Sequence, residues 1–271
     1  MRRPVAQVGQ GDSIQDWYNN IPFVTKVLIT STVVIGGLLT FQLIPPQDLI
    51  LDWRFIWHKF HIWRLFTPFV FAGSFSFNFL MHTVVLYQNS LKYENNPYNT
   101  GGGGSSADYL YLIIYSIVLL LVIAYYMNFM ILSDPLMYVI VYVWSRRESE
   151  SVVNMYGFKF KGLYLPWIYI GISMLMGNSI VPPLIGIAVG HSYYFLIEVM
   201  PTIYNVDLIR TPKFCIDIIT YSTGRTPNVL SNIPIPNLAA APNAGAPVRG
   251  NGFPNLGTGH NWGRGRVLGA N

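Results

Sequence analysis

From Tyr109 to Met127 the chain runs nineteen residues without a charge, and nearly all of them are apolar. At 1.5 Å per helical residue that is about 28 Å, close to the ~30 Å hydrocarbon core of a bilayer. In lipid the backbone must satisfy its own hydrogen bonds, so the run reads as a membrane-spanning helix. The rest of the chain agrees. Only 11% of its 271 residues are charged and 52% are apolar, whereas a soluble domain carries about 25% charged residues. So few charges cannot cover a water-soluble globule of this size. A soluble enzyme, a fibrous protein and a wholly disordered chain are all excluded.

Six spans are expected, at about Val27–Ile44, Phe66–Tyr87, Tyr109–Met127, Asp134–Trp144, Leu163–Ile180 and Leu184–Met200. Pro45-Pro46 ends the first, Gly73 breaks the second, and Pro182-Pro183 turns the chain between the last two. The predicted fold is an all-α membrane protein, a six-helix bundle with a tail. Residues 1–26 form an N-terminal segment, 27–200 the membrane domain, 201–221 a juxtamembrane segment with a short surface helix, and 222–271 the tail. Residues 1–20 are polar, so the first span is expected to act as the targeting signal. Loop 1, about residues 45–65, mixes Trp53, Trp57 and Trp63 with Arg54, Lys59 and Arg64, a pattern suited to a folded segment in the membrane interface. Gly101 to Gly104 lack a following lysine and read as a flexible linker, not a phosphate loop. The fifty tail residues hold nine Gly, six Pro and eight Asn, a composition that cannot repay the entropy of ordering.

The net charge of +5 is explained by topology and calls for no nucleic acid. With both termini on one side, 14 of the 17 basic residues fall on that side, and Arg54, Lys59 and Arg64 of loop 1 are the exceptions. The positive-inside rule then puts both termini in the cytosol. Cys215 is the sole cysteine, which excludes a disulfide-built ectodomain. No cofactor or metal spacing is visible, and no acidic or histidine path of the kind a proton-coupled pump needs. A small-solute transporter would want such a path and an inverted repeat.

Few residues in the spans can carry chemistry. Ser133-Asp134-Pro135 reads either as a helix start, with Ser or Asp capping and Pro in the first turn, or as a serine nucleophile with His191 as its base. Gly186 and Gly190 form a GxxxG face that admits a close helix, within the bundle or in a dimer. Trp63-Arg64 is either an interfacial anchor or a clamp in which Arg64 bonds loop carbonyls. Asn78, His82, Ser133, Asp134, Asn178 and His191 are expected to line a wet groove between spans 2 and 5. Spans 4 and 6 look short for the hydrocarbon core, which favours local thinning of the bilayer. Residues 259–269, Gly-His-Asn-Trp-Gly-Arg-Gly-Arg-Val-Leu-Gly, have the anchors of a short linear motif in Trp262 and Leu268.

Together these pieces resemble the Derlin family of rhomboid pseudoproteases. The resemblance covers nearly the whole chain. It rests on Asp16 to Pro22, His61-Ile62-Trp63-Arg64, Ala107-Asp108-Tyr109-Leu110, Leu163 to Trp167 and Gly186 to His191, in that order. Trp262, Gly263, Gly265, Leu268 and Gly269 are similar to the SHP box of Derlin tails, although an aromatic is more usual where Arg266 stands. Active rhomboids carry Gly-x-Ser-Gly at the fourth span; here Ile131 and Asp134 replace the glycines around Ser133, so Ser133 and His191 are vestigial and no catalysis is expected.

What the resemblance implies is a rhomboid-like bundle in the endoplasmic-reticulum membrane. It implies a non-enzymatic role in moving misfolded proteins to the cytosol for degradation. The implied partners are the AAA ATPase valosin-containing protein, a membrane-embedded ubiquitin ligase, misfolded substrates, the bilayer, and a second copy or a related chain.

Overall fold

The computed structural model describes residues 14–155, 158–204 and 210–224. The polypeptide begins with a short helix α1 (Ile14–Asn19) and, after Pro22, a long apolar helix α2 (Phe23–Thr40). Loop 1 holds α3 (Trp53–Lys59), a 3-10 turn (Ile62–Leu65) and the single-turn α4 (Thr67–Val70). Then come α5 (Phe77–Asn95), α6 (Ser106–Met127) and α7 (Ser133–Arg147). A hairpin of β1 (Val152–Met155) and β2 (Phe158–Lys161) leads to α8 (Leu165–Leu175) and α9 (Val181–Tyr194). A π-turn over Phe195–Val199 joins α9 to α10 (Met200–Tyr204), and α11 (Lys213–Thr223) closes the described part.

Among the described residues, three helical stretches are long and apolar enough to cross a membrane: Phe23–Thr40, Ser106–Met127 and Val181–Tyr204. Helix α5 is long but polar, with Asn78, His82, Gln88, Asn89, Lys92 and Glu94 along it. Helices α7 and α8, at 15 and 11 residues, reach only about 22 and 16 Å.

Several boundaries differ from expectation. The second span was placed at Phe66–Tyr87, but helix α5 starts at Phe77. Gly73 takes φ +85°, which a side chain disfavours, and the Ser76 hydroxyl accepts from the Phe79 N–H to start the helix afresh. The sixth span is long, not short. Pro182 and Pro183 sit in its first turn, where a missing N–H costs no hydrogen bond. The π-turn just before Pro201 carries the helix past that proline. The short helices, where spans 4 and 5 are expected, are therefore α7 and α8. The connection from α7 to α8 contains the hairpin, in which Val153 pairs with Phe160 and Asn154 with Lys159.

Helix α7 is the central element, buried along almost its whole length. Helix α9 lies against it, with α5, α6 and α8 around it. The glycine face explains the close seam: a Cβ at Gly186 would collide with the Pro135 carbonyl and the Tyr138 Cβ, and one at Gly190 would press on Tyr142 at 3.1 Å. The GxxxG face thus packs within the chain. A second close approach occurs where Gly36 of α2 meets the ring of Phe79 on α5.

Candidate functional site

The two ends of the bundle differ in chemistry. At one end, α2, α6 and α8 begin and α5, α7 and α10 finish. Glu94, at the end of α5, caps α2: its carboxylate accepts the N–H groups of Val24 (3.0 Å) and Thr25 (2.7 Å) and the Thr25 hydroxyl (2.6 Å). These are N–H groups that the first turn of a helix leaves unpaired. Asp108, fully buried in the first turn of α6, does more. It receives the N–H groups of Thr100, Gly102, Gly104 and Ser105 and the hydroxyls of Thr100 and Thr211. Ser105 and Asp108 form a capping box. Gly101 to Gly104, expected to be a flexible linker, wrap this carboxylate instead. A Cβ on Gly102 would sit 2.6 Å from the Asp108 Oδ1 atom, so the glycine is needed for the approach.

Thr211 ties the chain after α10 to the same carboxylate, and its N–H donates to the Thr100 carbonyl at 2.7 Å. Helix α11, expected to be a surface helix, is thereby docked on α6 and α2 with Cys215 and Ile219 buried. Burial pushes the Cys215 thiol up to about 11. The helix continues to Thr223 before Gly224 caps it with φ +64°, so the tail's first residues are ordered.

Basic residues ring this end. Arg146 Nε donates to the Tyr142 hydroxyl at 3.0 Å, and that hydroxyl lies 2.7 Å from Nδ1 of His191. Arg147 lies over the Tyr98 ring at 4.8 Å and Lys92 over Trp144 at 4.7 Å.

The other end carries loop 1. Arg64 is buried; its Nη1 donates to the carbonyls of Gln47 (2.6 Å) and Ile50 (3.2 Å), and its Nη2 reaches Asp48 at 3.0 Å. Of the two readings open for Trp63-Arg64, Arg64 acts as the clamp. Thr67 adds a bond to the Leu49 carbonyl at 2.8 Å. Trp63 is half exposed and stacks on His61 with centroids 4.3 Å apart.

Ser133 and His191 are not brought together. The Ser133 hydroxyl donates to the Phe71 carbonyl at 2.6 Å. His191 is held by Tyr142, nine residues along α7 from Ser133, or about 13 Å of helix rise. The side chain of Ser133 makes no N-cap bond, since α7 begins after Leu132.

Between α5 and α8, which scarcely touch each other, lies a narrow open groove of about 40 Å³. Of the six residues expected there, Asn78, His82, Asp134 and Asn178 line it; Ser133 and His191 do not. The Asn178 side-chain amide donates to the Asn78 carbonyl oxygen at 3.0 Å across the mouth. Met81, Val85, Met137 and Met176 supply apolar walls, and Tyr169 and Ser173 supply further polar groups. His82 approaches Asp134 only to 3.5 Å.

The sequence reading missed the Asp108 and Glu94 hubs. The Ser105-x-x-Asp108 spacing was a visible signal for the first. Nothing local announced Glu94, because its partners lie about seventy residues away. The motif residues Trp262, Gly263, Gly265, Leu268 and Gly269 lie outside the described residues.

Apolar spanning helices around one polar groove define a helical membrane protein. The chain belongs to the Der1-like family, whose model matches residues 21–213. It is 33% identical over 208 residues to "Probable derlin-2 homolog" of Dictyostelium discoideum, covering 74% of this chain and 80% of that one. It is 32% identical to "Derlin-1" of Oryza sativa subsp. japonica, over 85% of this chain and 94% of the relative. "Probable derlin-1 homolog" of Dictyostelium discoideum matches at 30% over 95% of this chain and all of its own length.

Proposed function

We propose that this derlin relative is a non-enzymatic retrotranslocation factor of endoplasmic-reticulum-associated degradation. It sits in that membrane as a six-span rhomboid-like bundle with both termini cytosolic. It guides misfolded proteins toward a membrane-embedded ubiquitin ligase, and its tail residues 259–269 recruit the AAA ATPase valosin-containing protein. The observation that carries this reading is the polar groove between α5 and α8, flanked by helices α7 and α8 too short to match a ~30 Å core. A substrate segment entering there meets a thinner and wetter barrier than bulk lipid.

The separation of Ser133 from His191 speaks against a serine protease, because a hydroxyl needs a base within hydrogen-bond reach. Asp134 and Pro135 follow Ser133 directly. The carboxylate would repel a developing oxyanion, and proline has no N–H to donate to it.

In cells lacking the endogenous protein, wild type and Ser133→Ala are expected to restore degradation of a misfolded membrane substrate equally. Trp262→Ala/Leu268→Ala is expected to lose both ATPase pull-down and degradation. Failure of the serine variant alone would revive the protease; ATPase binding by the double variant would move recruitment to another surface.

A further inference from the structure

Asp134 is the one acidic group lining the α5–α8 groove, and its environment is unusual for a carboxylate at membrane depth. Its side chain is about half exposed, at 46%, and among the described residues no hydrogen bond reaches it. It stands in the first turn of α7. Beside it, His82 is 94% buried, and neither ring nitrogen has a hydrogen-bond partner. At 3.5 Å from the carboxylate, the His82 ring lies beyond a good charge-assisted bond. Other carboxylates of this bundle behave differently: Glu94 and Asp108 are enclosed by donors. His82 and Asp134 face each other at 3.5 Å without a close hydrogen bond, and the half-exposed carboxylate is open to a donor from outside the chain.

The shape of the site says what kind of donor. The walls are methionine and valine at Met81, Val85, Met137 and Met176. The groove lies between α5 and α8 over α7 and is open at the surface. An apolar side-chain stem fits against these walls, with one positive charge set at the level of Asp134. Lysine and arginine have long apolar stems and strongly basic heads, so both bury a stem against methionines while the head meets a carboxylate.

We propose that the groove selects membrane-spanning segments that carry a lysine or arginine, with Asp134 as the acceptor of that charge and His82 as a second acceptor beneath it. This rests on the groove being the substrate path. It adds a rule of selection: an unpaired cation is costly in lipid, and a spanning segment that has lost its partner subunit exposes such a group. The groove then gives an orphaned cation a counter-charge.

The test uses the purified full-length protein in lipid nanodiscs and synthetic single-span Leu/Ala peptides. The peptides carry Lys, Leu or Glu at one position a turn and a half from one end. Binding is read by fluorescence transfer. One good charge-assisted bond corresponds to about tenfold, so the Lys peptide is expected to bind ~10-fold tighter than the Leu peptide, and the Glu peptide weaker than both. Asp134→Asn is expected to equalise Lys and Leu, and Asp134→Glu to retain the preference. Because Asp134 is half exposed and its one ion pair is long, either variant should lower stability only slightly. Equal binding of Lys and Leu by the wild type overturns charge selection and leaves the groove as a binding path. A Lys preference that survives Asp134→Asn overturns Asp134 as the acceptor. Binding of none of the peptides removes the groove as a substrate path altogether.

Discussion

Asp108 and Asp134 are both carboxylates in the first turn of a helix, and the protein treats them in opposite ways. Asp108 is sealed from water and collects donors from the 100–105 loop and from Thr211. Asp134 faces a groove, half exposed, with His82 at 3.5 Å and no close hydrogen bond among the described residues. A buried carboxylate without partners is destabilising, whereas one fully hydrogen-bonded rigidifies its surroundings. The contrast separates a structural latch from a surface kept open for binding. The first gathers the ends of α5, α6 and the segment before α11; the second leaves α5 and α8 apart.

Substitutions sharpen this comparison in decreasing order of effect. Asp108→Asn replaces an acceptor by an N–H₂ group facing backbone donors. It is expected to lower stability in detergent unfolding by about 3 kcal/mol, since several buried donors lose their partner. Glu94→Ala removes the cap of α2 at Val24 and Thr25 and should cost about 2 kcal/mol in the same assay. A stability change under about 0.5 kcal/mol for either variant would mean that water replaces the carboxylate freely.

Cysteine labelling follows the latch directly. With its thiol near 11, Cys215 at pH 8 is thiolate in only about one molecule in a thousand, and maleimide should react slowly. Raising the pH toward 11 should speed the reaction, because thiolate increases. Asp108→Asn should speed it at pH 8 by releasing α11. Fast labelling of the wild type at pH 8 would mean that α11 is not docked.

At the groove, Asn178→Ala breaks the bridge to Asn78, a single exposed bond that should move stability by under about 0.5 kcal/mol. Cross-linking of a peptide in the groove is expected to rise, because the Asn178–Asn78 bond joins its two walls. A large stability loss from Asn178→Ala would make the groove part of the packed core and erase its contrast with the latch.

Much of the fold was legible in the residues. Tyr109–Met127 sits inside α6 because an uncharged run of that length has few alternatives. The Gly186/Gly190 face pointed to a close helix, but that its partner is α7 rather than a second copy required the packed bundle. Four of six predicted groove residues line the cavity, because polar groups in apolar helices turn away from lipid. Ser133 and His191 were grouped by their likeness to a catalytic pair, and the helix rise along α7 keeps them apart.

Hydrophobicity, helix breaks and charge bias are local properties, so the sequence alone determined that this chain is a helical membrane protein with a built first loop. It also placed the prolines that stop or start helices. What it could not decide were pairings over long separations. Thr211 meets Asp108 across 103 residues and Glu94 meets Thr25 across 69. The glycines at 101–104 looked like slack until a carboxylate was seen inside them. Periodicity reports which face of a helix is apolar. Which donor lies opposite a given carboxylate, and whether any does, depends on the packed bundle.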